Sequence, residues 1–159
     1  MSHLLHQTLE SPITQITVHT SGQTTSNSAN TLVTIDGSEY TYTPAQNSTH
    51  VVYEISFYAE RKTGIQFNTL YLQEYTSGSW SEIDSRYNRS IGNGGFTSDQ
   101  RWYYHIRFII PSWSGARALR LAVASNSSSK SFTAHAVTDW DGSSSSTTFC
   151  NTNLFIYSV

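Results

Sequence analysis

Glu82-Ile83-Asp84 is the first place in this 159-residue sequence where side-chain types and spacing suit catalysis. Alternation along a strand puts Glu82 and Asp84 on one face. Retaining glycoside hydrolysis needs two carboxyl groups ~5–5.5 Å apart, one as nucleophile and one as acid. The positions where a further Glu should follow hold Arg86 and Tyr87, and the next carboxylate is Asp99. The acid is missing, so the sequence predicts no enzyme.

Binding chemistry is better represented. Asp139-Trp140-Asp141-Gly142 has part of the look of a calcium loop, but Ser143 to Ser146 add only neutral hydroxyls, with no acidic closing ligand. The same turn suits a sugar. Trp140 would stack on a pyranose while Asp139 and Asp141 accept its hydroxyls. Trp113 in Pro111-Ser112-Trp113-Ser114-Gly115 and Trp80 in Gly78-Ser79-Trp80 are similar aromatics at loop edges. Each is also what a satellite of the core looks like. The tentative ligand set is therefore Trp80, Trp113, Asp139, Trp140 and Asp141.

Metal and cofactor chemistry find little support. Six histidines are spread over positions 3, 6, 19, 50, 105 and 135, with no dense ligand spacing. Only a threefold axis would gather copies of His105 or His135. No phosphate-binding or dinucleotide fingerprint occurs, since Gly92-x-Gly94 lies in a polar stretch with no helix after it. The single Cys150 excludes an intrachain disulfide and reads as a packed thiol. No cofactor and no metal are expected.

Composition narrows the partners. Nine basic against eleven acidic residues give a formal charge of −2, which provides no field to hold phosphate backbones, so no nucleic acid is expected. The longest apolar runs, such as Leu121-Ala122-Val123-Ala124, fall far short of the ~20 residues that span a bilayer. The first ten residues lack a basic start and an apolar run, so neither a signal peptide nor membrane insertion is expected.

The elements that must carry these residues are strands. The chain holds 26 Ser and 20 Thr, only two Lys, and 13% aromatic residues, a mix suited to a pleated, half-buried surface. Strand-sized runs end in turn clusters at about ten-residue spacing. Asp36-Gly37, between residues 32–35 and 40–42, favours a type I′ hairpin. Residues 50–60 alternate, with Val51, Tyr53, Ile55, Phe57 and Ala59 on one face. Trp102, Tyr104, Ile106, Phe108 and Ile110 do the same, and Leu119, Leu121 and Val123 point inward from the next strand. Residues 23–30, 84–100 and 139–148 are polar and read as loops. The prediction is an all-β fold of eight to ten strands: residues 1–12 form a flexible N-terminal segment and residues 13–159 a single domain. The expected architecture is an antiparallel two-sheet jelly-roll sandwich, with a closed or orthogonal barrel as the runner-up.

Several strands carry aromatics on both faces: Tyr53 and Phe57 oppose Tyr58, and Trp102 and Tyr104 oppose Tyr103. A strand buried on one side should be polar on the other. Either Tyr is tolerated as a surface β-former, or a symmetric partner covers the outer face. The second reading makes Tyr53, Phe57, Tyr58, Tyr103, Phe155 and Tyr157 the candidate oligomer interface.

Val51-Val52-Tyr53-Glu54-Ile55-Ser56-Phe57-Tyr58, Gly115-Ala116-Arg117-Ala118-Leu119-Arg120-Leu121 and the aromatic last strand resemble the small jelly-roll domains of phage and viral virion proteins. Those share the architecture of the tumour-necrosis-factor and C1q-like trimers. The resemblance covers residues 13–159 and rests on alternation, not on fixed signatures. It implies a homotrimer on a virion surface, as a fibre tip, spike or decoration. Partners would be further copies of the chain, other virion proteins, and a host-surface glycan or protein met by the loops. A monomeric carbohydrate-binding module using the loop tryptophans is the alternative.

Overall fold

The computed structural model describes residues 14–16, 23–26, 31–62, 67–89, 100–125, 131–135, 137–140, 142–143, 146–149 and 153–159. The predicted N-terminal segment 1–12, together with Cys150 and Asp141, lies outside them. The described residues form strands β1 (Thr14–Ile16), β2 (Gln23–Ser26), β3 (Val33–Thr34), β4 (Tyr40–Tyr42), β5 (His50–Lys62), β6 (Phe67–Thr76) and β7 (Ser79–Arg89). There follow β8 (Gln100–Pro111), β9 (Arg117–Ser125), β10 (Ser131–Ala134), β11 (Val137–Trp140), β12 (Ser146–Phe149) and β13 (Asn153–Ser158). No helix occurs among them, so none is long and apolar enough to cross a membrane.

Eleven of the strands build two antiparallel sheets, and β11 and β12 form a separate two-stranded one. In the first, β13 and β10 lie one after the other along one side of the long β5, and β8 takes the other side. β1 extends this sheet beyond β13, and β2 extends it beyond β10. The second sheet has the order β3-β9-β6-β7, with β4 also paired to β9. The pairings are nested: β1 with β13, β3 and β4 with β9, β5 with β8, and β6 with β7. The chain thus pairs outward from its β6–β7 hairpin, each earlier strand with a later one.

Alternation selects what is buried. Val51, Tyr53, Ile55, Phe57 and Ala59 of β5 have no exposed surface. They join Phe108 and Ile110 of β8, Leu154 and Ile156 of β13, Leu70 and Leu72 of β6, and Leu119, Leu121 and Val123 of β9 in one core between the sheets. Full burial of a large apolar side chain contributes ~1.5–3 kcal/mol, so this cluster supplies the main driving force. Rings interlock within it, Tyr53 edge-on to Phe108 at 6.3 Å and Phe57 stacked on Tyr104 at 5.2 Å. Tyr53 and Phe57 are therefore core residues. With no surface left on the single chain, they have none to give a partner, which removes them from the expected interface.

The buried polar groups are matched to backbone. Tyr53 donates its hydroxyl to Ser38 O at 2.5 Å, and burial pushes the pKa of that hydroxyl upward. Ser38 Oγ lies 2.5 Å from Ile35 O and 3.0 Å from Leu121 O, and accepts Leu121 N–H at 3.1 Å. This hydroxyl explains a departure from expectation. A turn closes at Asp36-Gly37, but only Gly37 has a positive φ, +73°, so it is not the type I′ turn expected, and β3 and β4 do not pair with each other. Both pair with β9, and Ser38 supplies the bonds to β9 where the turn interrupts the strand.

Three expected loops contain strands. β2 falls within residues 23–30, β7 continues to Arg89, and β11 pairs with β12 across residues 139–148. In each case a cross-strand partner fixes a polar segment whose own pattern is weak, because strand formation depends more on pairing than on intrinsic preference. β10 stops at His135, which has φ +63°, is fully buried, and donates Nε2–H to Asp36 O at 2.9 Å.

Candidate functional site

The outer face of the first sheet is built by the alternate residues of β13, β5 and β8. Register sets them in rows: Tyr157, Val52 and Ile109; then Phe155, Glu54 and Arg107; then Asn153, Ser56 and His105; and finally Tyr58 with Tyr103. Same-face rows are two residues apart, so the four rows extend about 20 Å along the strands. Ile109 is 58% exposed and Tyr103 is 52% exposed, two of the largest apolar exposures among the described residues. Tyr58 and Tyr103 touch at 5.0 Å between ring centres. Of the six expected interface residues, Tyr58, Tyr103, Phe155 and Tyr157 lie on this face.

An ion cluster crosses the middle of the face. Arg107 donates Nε–H to Glu54 Oε2 at 2.6 Å, and His105 donates Nε2–H to Glu54 Oε1 at 2.7 Å. These two donors, Arg107 foremost, hold the Glu54 carboxyl below its ordinary pKa. Exposed pairs of this kind add only ~0–1 kcal/mol to stability. Their effect is to fix a charge pattern between two apolar rows. Ile109, Val52 and this cluster were not foreseen from the sequence. The available signal was parity: Ile109 shares its odd positions with Tyr103.

Two other aromatic sites use the expected tryptophans. On the outer face of the second sheet, Trp80 packs against Tyr75 at 5.3 Å and carries the Arg120 guanidinium 4.1 Å above its ring. Arg120 in turn donates to Gln73 Oε1 at 2.9 Å. Burial lowers the Arg120 pKa, with Glu39 opposing that shift. Trp80 thus carries a guanidinium over its ring, as Trp113 does.

Trp113 lies at one end of the two sheets, where residues 44–48 and 112–115 line an open cleft of about 460 Å³. Its ring meets Tyr42 edge-on at 6.3 Å and carries the Arg117 guanidinium at 4.8 Å. Arg117 is itself paired with Glu74. The Trp113 Nε1–H is buried and has no hydrogen-bond partner among the described residues. Leaving a buried donor unmatched costs ~1–3 kcal/mol.

The remaining candidates are separated from these. Asp139 and Trp140 belong to β11, opposite Thr147 and Ser146, instead of a loop. A bulge after Leu72 sets Glu82 opposite Gln73 and Asp84 opposite Leu72, with Ile83 between them. That breaks the alternation expected to align the two carboxylates. Among the described residues, no group of three or more His, Cys, Asp or Glu is placed to hold a metal ion. No family model matches the chain, and no curated protein matches it in sequence.

Proposed function

We propose that this chain is a non-enzymatic jelly-roll protein that forms a homotrimer through the outer face of its first sheet and serves on the surface of a viral particle. The observation that carries the assembly is the exposed apolar and aromatic face formed by Ile109, Tyr103, Tyr58, Phe155 and Tyr157. Two apolar clusters flanking an ion cluster on one side of a sheet mark an interaction surface, and closed symmetric assembly is its simplest cover. The nested strand pairing supports the jelly roll, which is a long antiparallel ribbon rolled so that first and last strands pair and the middle strands form its tip. The virion role rests on the likeness of the strand patterns to virion jelly rolls. Loops at the ends of the sheets would then contact a host-surface receptor, with threefold avidity.

Oxidative footprinting tests the interface with an internal control. Tyr103 and Tyr75 are 52% and 47% exposed in one chain, on different sheets. In the trimer Tyr103 is protected and Tyr75 reacts; equal reactivity overturns the assignment. The genes flanking the coding sequence test the virion role, which stands with portal, capsid or tail genes beside it and falls without them. The second reading, a monomeric carbohydrate-binding module, is favoured by one observation, the cleft beside Trp113.

A further inference from the structure

We infer that the cleft between residues 44–48 and 112–115 is a saccharide site, taking an uncharged pyranose on the Trp113 indole and the neutral polar groups around it. It rests on the reading of the loops as a contact surface and is independent of the number of subunits.

Volume comes first. About 460 Å³ falls inside the range of small-molecule sites, roughly 300–1,000 Å³, and is ample for a pyranose. The lining then selects the ligand. Trp113, Pro44 and Ala45 provide apolar surface, while Gln46, Asn47 and Ser114 provide neutral donors and acceptors. Among the described residues, no acidic or basic side chain lines the cleft. The nearest charge, Arg117 over the Trp113 ring, is matched by Glu74. A phosphate, a carboxylate or a metal ion would leave water for nothing of opposite charge. A wholly apolar ligand would strand the polar wall. A pyranose has both an apolar C–H face for the indole and hydroxyls for the amides and serine.

The walls are held in place before any ligand arrives. Ser48 Oγ donates to Ala45 O at 2.8 Å and lies 2.7 Å from Ser112 Oγ, tying the two segments together. Ser112 N donates to Thr49 O at 3.0 Å, and Ala45 N donates to Ser158 Oγ at 2.9 Å. Asn47 sits at φ +68°, a left-handed conformation at the rim. Preorganised walls lose little freedom on binding, which suits recognition of a small ligand.

The Trp113 Nε1–H supplies a spectroscopic probe of the ring that lines the cleft. Nε1 has no exposed surface, so a sugar lying on the indole is read through this resonance and is not bonded to it. Binding therefore has a spectroscopic signature at one nitrogen.

The test is titration of the ¹⁵N-labelled full chain with methyl glycosides of glucose, galactose, mannose and N-acetylglucosamine, and separately with N-acetylneuraminic acid. The Trp113 indole N–H resonance is assigned by its loss in Trp113→Phe. At least one neutral glycoside should shift that resonance, with affinity in the millimolar range expected for a single sugar. Trp113→Phe should weaken binding about tenfold or more, and Gln46→Ala, at an exposed wall position, about threefold. Either variant should leave the sedimentation profile unchanged. Silence to every neutral glycoside, a response to the acidic sugar alone, or unaltered affinity in both variants overturns the site. A monomer that binds keeps the site and removes the trimer. A trimer that is silent does the reverse.

Discussion

Replacing Phe57 with alanine removes a ring that has no exposed surface, stacks on Tyr104 at 5.2 Å and 9°, and meets His135 edge-on at 5.8 Å. Truncating a buried Phe costs ~3–5 kcal/mol through lost transfer energy and the cavity left behind. The ring contacts, each worth ~0.5–1.5 kcal/mol beyond area, place this site toward the upper end. A domain of this length holds only ~5–15 kcal/mol in total. At ~2–4 °C per kcal/mol, a loss of about 4–5 kcal/mol lowers the melting midpoint by about 8–20 °C. The assay is urea unfolding followed by circular dichroism at several protomer concentrations, because assembly makes apparent stability depend on concentration. A core residue costs the same at every concentration, including those where the chain is dissociated. A loss below ~1 kcal/mol, or one confined to concentrations where wild type assembles, would return Phe57 to a surface and refute the packing described above.

Ile109→Asp tests the opposite face. Full burial of Ile is worth ~1.5–3 kcal/mol, and 58% of its surface remains to be covered, so covering it gains about 1–1.7 kcal/mol per protomer. Over three protomers that is about 3–5 kcal/mol before the cost of burying the new charge. The variant should lose assembly by light scattering while its dissociated fold keeps the wild-type unfolding midpoint; an unchanged assembly contradicts the interface. Glu54→Gln tests the ion cluster by pH. Arg107 and His105 lower the Glu54 pKa in the fold from the ordinary 4.5. The stability they add is therefore present above that value and lost as pH falls through the lower folded value. Below about pH 4.5, wild type should lose stability more steeply than Glu54→Gln in acid titrations of unfolding. Parallel curves would show that the carboxylate gains nothing from its partners.

The long strands were legible because their alternation is strong. β5, β8, β9 and β13 carry apolar residues at every second position, and from Val51 to Ala59 burial is complete at that parity, with Val52 and Ser56 of the other parity also buried. The short strands β2, β11 and β12 were not legible. Their polar sequences form ladders only because β10, or each other, lies alongside. The same limit applied to function. Alternation says which residues share a face but not which face looks inward, so Tyr53 and Phe57 were grouped with Tyr58 and Tyr103. Three-dimensional pairing separates them, and it alone brings Ile109 beside Val52 and Tyr157, and Glu54 beside Arg107. The Trp113 cleft depends on two segments far apart in sequence, residues 44–48 and 112–115, joined through Ser48 and Ser112. No local motif announces such a meeting.

The mass of the wild-type chain in solution tests the central claim most directly. Sedimentation equilibrium across the micromolar range should give three times the 17.8 kDa chain, about 53 kDa. A mass of 17.8 kDa at every concentration would contradict assembly through the outer face and leave Ile109 and Tyr103 as ordinary exposed residues.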